Sequence, residues 1–590
     1  MNYMSQIPTR IEDRNTILDD LLDLLWTEDI ASLRSNVLSS RQDAQASVAL
    51  GGREIIVHLQ PDDWRGGWRP FRMEHAETGK TLEPSELLWL VLNALPELSL
   101  PVLDRTMRQL GQSEKNADLV QAMGMVLSNA GRQPGALENN LLWERMAAWR
   151  DRPFHPLAHS RGHWGAGEIE EYGAEFGRYF PLRWCAVEKS HLLASPRAKG
   201  GGPAAAILDD AQSALLRWEL VRLGIDTTHE ALPLHPWQAD HVVPREFSEE
   251  LADGRIAMLD FRGPLVAATS SLRSVAIPGK PGCHLKLPLD VETLGVRRLL
   301  SAQSLCNGLK GADLLALALA SRRGLGQIAR LADETQFWTF SELSGDVLAP
   351  RTAYLGCAVR SFPLIEGASL IPLAAFAVAP AGGMPPAIEA SLLARRDNTL
   401  ESFVVELFDL LAGFAIEALA SGFIPEMHGQ NVLVEISNGR PSAVILRDHD
   451  TVRCHAAGLA ACGLQAPEYI IKDPRRATML LSRPEDLIAY GQTLLFDVAL
   501  RAICTELDRA GALELSTSRR LLRTSVEHRL ECIEMPSEVR ERLRFALLEQ
   551  SDWPFKQILT PLLQTTELGL GMPSRLGLAS NPLFDFERNR

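Results

Sequence analysis

The sequence predicts a mixed α+β protein of several domains, on three observations. Its 590 residues exceed the roughly 100–200 residues of a typical domain. Hydrophobic residues make up 46% of the chain and charged residues 23%, the balance of a folded protein with a large core. The apolar pattern changes twice along the chain. These changes predict a helical section over residues 1–150, a sheet-rich section over 151–350 and a mixed section over 351–590.

The first section carries the apolar spacing of amphipathic helices. Similar spacing recurs over residues 87–95 and 141–149, so we expect this section to be built from helices. The first apolar stripe consists of Ile17, Leu18, Leu21, Leu22 and Leu25.

The middle section begins where helix-breaking residues become frequent. Pro153, Pro156 and Gly162 interrupt any long helix after residue 152. Short apolar and β-branched runs follow, each bounded by turn residues, and they predict the strands of a sheet. The runs cover residues 182–187, 255–259, 265–269 and 284–289.

The last section predicts a long helix followed by a β hairpin. Residues 402–420 have helical apolar spacing, and Gly422 with the following Pro425 supplies a stop signal. Two short apolar runs, 432–436 and 443–446, flank Asn438-Gly439, a dipeptide typical of tight hairpin turns.

The net charge excludes two classes of partner. It is -14 at pH 7 with a pI near 5.6, so no overall positive field attracts nucleic acid or an anionic membrane. The amino terminus lacks a signal-peptide pattern, and apolar runs such as 314–320 are too short to span a bilayer. We therefore expect a cytoplasmic protein. The eight scattered cysteines lack the close pairs of zinc or redox sites and predict buried, reduced thiols.

The segment from Glu426 to Asp448 carries the most specific chemistry. Asn431 precedes one strand of the predicted hairpin and Asp448 follows the other. Kinase-like phosphotransferases place an Asn and an Asp in this way to hold Mg²⁺ through oxygen ligands. The base position five residues before the Asn is Glu426, so the segment supports magnesium binding better than phosphoryl transfer to a hydroxyl. The alternative is a hairpin with solvated polar ends, which the crowding of polar residues disfavours.

A second cluster lies on the predicted strands of the middle section. Hydroxyl groups alternate there with Arg and Lys, a set that suits a polyphosphate because Arg binds two oxygens at once while Lys acts as a mobile charge. The alternative is a strand pair with solvated basic faces. The residues are Ser270, Ser271, Arg273, Ser274, His284, Lys286, Thr293, Arg297 and Arg298.

Two further clusters place histidine beside proline. The first is His155-Pro156 with His159 and Arg161, and the second begins at His235. Histidines next to Pro and Trp are more often packed loop residues than ligands, and neither cluster has metal-motif spacing. Taken singly, they assign no function.

Taken in order, these segments resemble the IucA/IucC family, siderophore synthetases that work independently of nonribosomal peptide assembly lines. The combination of segments carries the resemblance, which spans about residues 150–450. The matching pieces are 154–161 (FHPLAHSR), 234–238 (LHPWQ), 269–274 (TSSLRS), 284–287 (HLKL) with Thr293 and Arg297, 428–431 (HGQN), and Arg447-Asp448.

The resemblance implies a fold and an activity. Members are similar in shape to a cupped hand, with a helical thumb, antiparallel sheet-rich fingers and a kinase-like palm. They use ATP and Mg²⁺ to convert a carboxylic acid, often citrate, into an acyl-adenylate, which an amine or alcohol captures with release of AMP and pyrophosphate. The implied partners are therefore a polycarboxylate and an amine or alcohol, and the resemblance favours a homodimer.

The resemblance also implies roles for single residues. Lys286, Arg297 and His428 would be catalytic, with Arg297 and His428 meeting the substrate carboxylates and reacting phosphate and Lys556 approaching the acid. Glu426, Asn431 and Asp448 would hold magnesium. The expected nucleotide-binding residues are His155, Arg161, Ser271, Arg273, Ser274, Lys286, Gln430 and Asn431.

Two departures from the family pattern bear on the site. His159 stands where the family usually has Lys, which could alter ATP affinity or its pH dependence, and His449-Asp450-Thr451 replaces a commoner form containing Phe. Two other functions stay open: a small-molecule kinase, which would release ADP, and an inactive nucleotide-binding or scaffold protein.

Overall fold

The amino-terminal section combines helices with a small sheet. The computed structural model describes residues 15–150, 152–380, 382–395, 399–473, 478–565 and 574–585. The first elements are α1 (Thr16–Thr27), α2 (Leu33–Ser40), β1 (Gln45–Leu50), β2 (Arg53–Pro61), β3 (Trp68–His75), α3 (Pro84–Asn93), α4 (Leu100–Gln121), α5 (Gly124–Gly131) and α6 (Asn140–Trp149).

The prediction of a purely helical first section is wrong, because β1, β2 and β3 form an antiparallel sheet. Apolar residues alternate along β1 and β2, and both residues of the connecting Gly51-Gly52 turn have positive φ. Alternation on both sides of a Gly-Gly pair is a hairpin signal, so the sequence contained the information.

The middle section carries two larger antiparallel sheets and the two-stranded β12–β13 hairpin. One has seven strands in the order β4-β9-β10-β11-β16-β15-β6, and the other has the order β7-β5-β8. The elements are α7 (Ala166–Tyr172), β4 (Tyr179–Pro181), β5 (Arg183–Glu188), β6 (Leu192–Ala194), α8 (Gly202–Ile207), α9 (Asp210–Arg222), β7 (His229–Leu234), α10 (Pro236–His241), α11 (Val243–Glu246), α12 (Ser248–Ala252), β8 (Ile256–Leu259), β9 (Leu265–Ala268), β10 (Ser274–Ala276), β11 (Cys283–Lys286), β12 (Glu292–Thr293), β13 (Val296–Arg297), α13 (Ala302–Ser321), α14 (Arg323–Ile328), β14 (Ala329–Leu331), β15 (Asp333–Phe340) and β16 (Gly356–Ser361).

The last section is built on a four-stranded sheet in the order β14-β20-β19-β17. The elements are β17 (Ala368–Pro372), α15 (Pro386–Leu393), α16 (Leu400–Ala420), β18 (Phe423–Ile424), β19 (Val432–Ser437), β20 (Arg440–Leu446), β21 (Arg453–His455), α17 (Ala456–Ala461), β22 (Leu480–Leu481), α18 (Pro484–Gly491), a π-helix (Gln492–Leu500), α19 (Arg501–Arg509), α20 (Leu515–Cys532), α21 (Ser537–Arg544), a short π-helix (Phe545–Glu549), β23 (Asp552–Gln557), α22 (Leu559–Leu563) and β24 (Arg575–Ser580).

The predicted long helix and hairpin are present as α16 and β19–β20. Asn438 and Gly439 both have positive φ, 51° and 73°, as a tight hairpin turn requires. β14 runs parallel to β20 before the chain crosses into β15 of the seven-stranded sheet. Both sheets therefore have strands on each side of the predicted boundary at residue 350. β16 continues the seven-stranded sheet to Ser361, after the boundary, and β14, before it, belongs to the four-stranded sheet.

The three predicted sections share their largest hydrophobic core. Met146 of α6, Leu314 of α13 and Phe408 of α16 all belong to it. One helical stretch among the described residues, Pro484–Arg509, is long and apolar enough to cross a membrane, contrary to the expectation from the sequence, and 89% of its most apolar window is buried inside the protein. That burial is the property of a core helix. All eight cysteines are free thiols, and Cys532 is exposed, against the prediction that all are buried.

Candidate active site

A cavity of about 340 Å³ brings together most of the residues singled out in the sequence. Helix α1, the loops of the seven-stranded sheet, the open end of the β19–β20 hairpin and β23 surround it. A larger cavity, of about 990 Å³, borders α1 and α19 but is lined by none of the predicted site residues. The predicted residues that line the smaller cavity are His155, Ser271, Arg273, Lys286, Glu426, His428, Gln430, Asn431, Asp448 and Lys556.

One side of this cavity, here called the cationic wall, consists of Ser271, Arg273, Lys286 and Arg298. Ser271 and Arg273 lie on the turn between β9 and β10, which closes through a 2.8 Å hydrogen bond from the Ser274 N–H to the Ser271 carbonyl. Lys286 ends β11, where it pairs with Ser274. The neighbouring strands thus bring a hydroxyl and two cations to one edge of the sheet.

The structure places Arg298, not Arg297, in the cavity. The Arg297 guanidinium pairs with Asp290 at 2.5 Å and 2.7 Å and donates to the Tyr354 hydroxyl at 3.0 Å. Arg298 instead donates to Thr293 and faces the cavity. Adjacent side chains on extended backbone point to opposite sides, so two consecutive arginines cannot share one site. Arg297 therefore lies outside the lining of this cavity, which Arg298 joins, and its contact with the substrate stays a prediction.

Two more predicted residues lie outside the main cavity. Ser274 is buried within β10, and its hydroxyl has no hydrogen-bond partner in the described chain. Arg161 pairs with Glu175 at 3.4 Å and lines a separate cavity of about 30 Å³ behind Ser271 and Arg298. Neither residue is part of the lining of the main cavity, and their roles in nucleotide binding stay predictions.

Three other residues of the lining, here called the acidic wall, are Glu426, Asn431 and Asp448, and Asp448 contacts Lys286 of the cationic wall. The Asn431 amide donates to Glu426 Oε2 at 3.2 Å, and Lys286 donates to Asp448 Oδ1. Burial opposes both charges, but the cations around Glu426, Arg453 first, lower its pKa, and Arg360 and Lys286 hold the pKa of Asp448 well below its usual range. Both carboxylates are therefore ionised at neutral pH.

The acidic wall fits Mg²⁺ in its chemistry. Two ionised carboxylates and an amide are the hard oxygen donors that this ion prefers. Among the described residues no group of three or more His, Cys, Asp and Glu side chains is placed to hold a metal. Mg²⁺ commonly takes one or two carboxylates and completes its shell with substrate phosphates and water, so a sparse protein site agrees with that ion.

Two cavity histidines are held by the same local turn. The Leu157 N–H donates to His155 Nδ1 at 3.2 Å, and the Gln430 N–H donates to His428 Nδ1 at 3.2 Å. Burial lowers the pKa of His155 to about 3 and that of His428 well below its usual value. Both rings are therefore neutral with the proton on Nε2, where they can donate to an anionic ligand.

His235 adopts this turn as well, with the Trp237 N–H donating to its Nδ1 at 3.2 Å. Its ring packs against Trp164, Tyr172 and Phe180 and lies outside the main cavity. The interpretation of this histidine as a packed residue is confirmed. The local turn fixes the ring, whereas the surroundings decide whether it meets a ligand.

Lys556 projects into the cavity from β23. The carboxylate of Glu28, at the end of α1, ties the following residues in place by accepting the N–H groups of Ile558, Leu559 and Thr560 at 2.5–2.9 Å. Burial lowers the pKa of Lys556 to about 8, opposed by Glu426. Lys556 thus carries a charge that is easily lost just above neutral pH.

A buried network behind the site was missed in the sequence. Glu144 of α6 accepts from Arg447 at 2.5 Å and from the Ser270 N–H and hydroxyl at 3.1 Å and 2.7 Å. Gln430 donates to the Ser270 carbonyl at 2.7 Å. This network fixes the turn of the cationic wall against the hairpin of the acidic wall. The position of Glu144 within α6 gave no sign of this role in the sequence.

Comparison with known proteins points to one family for the middle of the chain. Residues 141–378 match the model of the IucA / IucC family, and residues 401–570 match that of the ferric iron reductase FhuF-like transporter family. Staphyloferrin B synthase from Staphylococcus aureus is 26% identical over 97% of this chain and 98% of its own length. N(2)-citryl-N(6)-acetyl-N(6)-hydroxylysine synthase from Vibrio mimicus is 28% identical over 50% of each chain.

Solved structures agree with this fold. The petrobactin biosynthesis protein AsbB from Bacillus anthracis matches with a TM-score of 0.75 at 16% identity, over 97% of this chain and 98% of its own. The ATP-bound aerobactin synthetase IucA from Klebsiella pneumoniae matches with a TM-score of 0.68 at 19% identity, over 94% and 99%. At such identities the likeness establishes a shared fold of mixed helix and sheet.

Proposed function

We propose that the chain, whose residues 141–378 match the model of the IucA / IucC family, is an ATP-dependent siderophore synthetase of that family. It activates a carboxylate of citrate or a related polycarboxylic acid as an acyl-adenylate and joins it to an amine or alcohol. The observation that carries this proposal is that the cationic wall, the acidic wall and Lys556 all line one cavity, with the two walls in contact through Lys286 and Asp448.

The cationic wall suits the phosphates of ATP. Arg273 and Lys286 supply positive charge, and Ser271 supplies a hydroxyl donor. A carboxylate that attacks the α-phosphate meets charge repulsion, which these groups reduce as negative charge moves onto the pyrophosphate. Mg²⁺, held by Glu426, Asn431 and Asp448, would supply further neutralisation of phosphate oxygens.

The remaining cavity residues suit the acid. Arg298 and Lys556 offer positive charge to its carboxylates, and the neutral His428 and His155 offer Nε2–H donors to the reacting oxygens. No protein nucleophile is required, because the acid itself attacks ATP. The amine or alcohol then displaces AMP from the acyl-adenylate, forming an amide or ester.

The decisive experiment identifies the nucleotide product. Purified protein is incubated with Mg·ATP, hydroxylamine and a panel of acids that contains citrate, a citrate half-amide and 2-oxoglutarate. We expect AMP, pyrophosphate and a hydroxamate in an acid-dependent reaction, with Lys286→Met as the inactive control. Release of ADP and a phosphorylated product would instead support a small-molecule kinase, an alternative that the comparisons do not favour.

The same proposal sets the cellular context. A synthetase that consumes ATP and small metabolites works in the cytoplasm, and the burial of the apolar stretch Pro484–Arg509 agrees with that location. Assembly as a homodimer stays a prediction from the family resemblance. Size-exclusion chromatography with light scattering measures it directly.

A further inference from the structure

Asp448 of the acidic wall has an unusual backbone. Its φ is 61° and its ψ is 69°, in the left-handed region that residues other than Gly seldom adopt. Such a conformation persists where surrounding contacts over-determine it. The contact that holds Asp448 comes from Glu334, whose two carboxylate oxygens lie 3.0 Å and 3.1 Å from the Asp448 backbone N–H.

The path of the chain explains why Glu334 reaches this point. β14 runs parallel to β20, with Leu331 opposite Leu446, and the Ala332 N–H donates to the Leu446 carbonyl at 2.9 Å. Beyond these residues the two chains part. A β-bulge between Asp333 and Gln336 contains Glu334. Bulges redirect side chains, and here the Glu334 carboxylate takes the place of the next backbone acceptor in the ladder.

Arg360 completes the arrangement from the neighbouring strand. It is 2% exposed, its Nε donates to Glu334, and its Nη2 lies 2.9 Å from Asp448 Oδ1 as an ion pair. On β16, Arg360 lies two residues beyond Ala358, the partner of Lys286 on β11, so both cations leave the same face of the sheet. Glu334 therefore balances the charge of Arg360 and leaves part of the Asp448 carboxylate available to a further cation.

We propose that Glu334 and Arg360 are positioning residues that hold the Asp448 carboxylate in place for the divalent cation of Mg·ATP. This inference rests on the proposed function, because it assumes that Asp448 serves as a metal ligand. Without Glu334, the Asp448 N–H loses its acceptor and the Arg360 charge is balanced by Asp448 alone. The carboxylate then turns toward Arg360, and the affinity for the cation falls.

The test compares two substitutions at the same bulge. Glu334→Gln removes the charge but keeps the side-chain volume, and Asp333→Asn is the matched control, because the Asp333 carboxylate accepts from Thr335 and makes no contact with Asp448. Binding of Mn²⁺ is measured by electron paramagnetic resonance with a non-hydrolysable ATP analogue present. Outer partners of metal ligands change metal affinity by about 10–100-fold when replaced, so E334Q should raise the Mn²⁺ Kd by that factor.

Three further measurements distinguish a positioning role of Glu334 from an effect of its substitution on folding. The melting temperature reports the folded state, and the Mg²⁺ concentration for half-maximal activity should rise with the Mn²⁺ Kd while the KM for the acid stays within about twofold. If E334Q fails to fold, Arg360→Lys, which keeps the charge but loses the planar fork, should show the same rise.

Two results would contradict the positioning role of Glu334. An E334Q protein with the Mn²⁺ affinity of D333N, or with losses that follow the unfolded fraction alone, overturns the positioning role. A wild-type protein that binds Mn²⁺ with the ATP analogue but forms no AMP would overturn the proposed function, while the Mn²⁺ comparison between E334Q and D333N still decides the inference.

Discussion

The cationic and acidic walls line one cavity and meet at the Lys286–Asp448 pair, but they are built in different ways. Ser271, Arg273 and Lys286 of the cationic wall come from a turn and a strand end of the seven-stranded sheet, whereas Arg298 follows the β12–β13 hairpin. The acidic wall lies at the open end of one hairpin, where Asn431 donates to Glu426. Asp448 alone pairs with both Lys286 and Arg360. The acidic wall is thus the less tolerant of the two, since the Asp448 carboxylate is the ion-pair partner of Lys286 and shares Arg360 with Glu334.

The largest effects should follow from breaking the Lys286–Asp448 pair. Lys286→Met and Asp448→Asn should each lower kcat by about 10²–10³-fold, the usual loss when a charge-stabilising group is removed from an active site. Their effects on stability should differ. D448N leaves Lys286 without a counter-ion and should lower the free energy of unfolding by about 3–5 kcal/mol, whereas K286M leaves Asp448 paired with Arg360 and should lower it less.

Rates of AMP formation and thermal melting curves measure these effects. Equal melting temperatures for the two variants would contradict the unequal role of the walls. The double variant provides a cycle, and because the side chains are in direct contact its loss should be smaller than the sum of the two single losses.

The second prediction concerns the identity of the arginine in the cationic wall. Arg298→Ala should lower kcat/KM for the acid by about 10²-fold, because it removes a charged donor from the cavity. Arg297→Ala is the matched control and should retain kcat while lowering the melting temperature, because it leaves Asp290 without its bidentate partner. Loss of acid-dependent activity in R297A with wild-type activity in R298A would return the role to Arg297.

Arg297 and Arg298 show which detail the sequence did not predict, namely which of two adjacent side chains faces the cavity. The Asn438-Gly439 hairpin and the long helix before it follow from local turn chemistry and apolar spacing, so both elements and the acidic wall were found. The family resemblance selected Arg297, and the two-residue strands of the β12–β13 hairpin are too short to show from the sequence which side chain faces inward. The tertiary fold decides that orientation.

The buried residues that contact the two walls from behind could not be predicted from the sequence, for a different reason. Glu144, Glu334 and Arg360 are single charges in otherwise ordinary segments, and each gains its role from a partner more than 25 positions away. No local pattern marks such a contact. By contrast, the β1–β2 hairpin carried a Gly-Gly signal between alternating runs, and its omission was an error of interpretation.

The third prediction uses pH to separate Lys556 from the histidines. The pKa of Lys556 is lowered to about 8 by burial, so its charge is present below pH 8 and is lost as the pH rises through that value. If the charged form binds the acid, kcat/KM for the acid should fall above pH 8, by up to about tenfold per pH unit. Lys556→Arg keeps its charge at all these pH values and should remove this decline.

The histidines provide the internal control for that experiment. The pKa of His155 is lowered to about 3 and that of His428 lies well below its usual value, so neither ring changes charge between pH 6 and pH 8. The acidic side of the profile should therefore be flat over this range. A decline centred near pH 6.5 in wild-type protein, removed by His428→Gln, would show that His428 is charged during the reaction.

The smallest effect is expected at His159, where the family usually has Lys. Burial lowers the pKa of His159 to about 3, aided by Arg161 and Arg150, and this residue does not line the main cavity. The cationic wall therefore has no charge at this position near pH 7, and ATP affinity should show no pH dependence from it. His159→Gln exchanges one neutral side chain for another, so the KM for ATP should change by less than about twofold. A larger rise in that KM, steepest at low pH, would mean that His159 is protonated when ATP is bound and that the cationic wall extends to this loop.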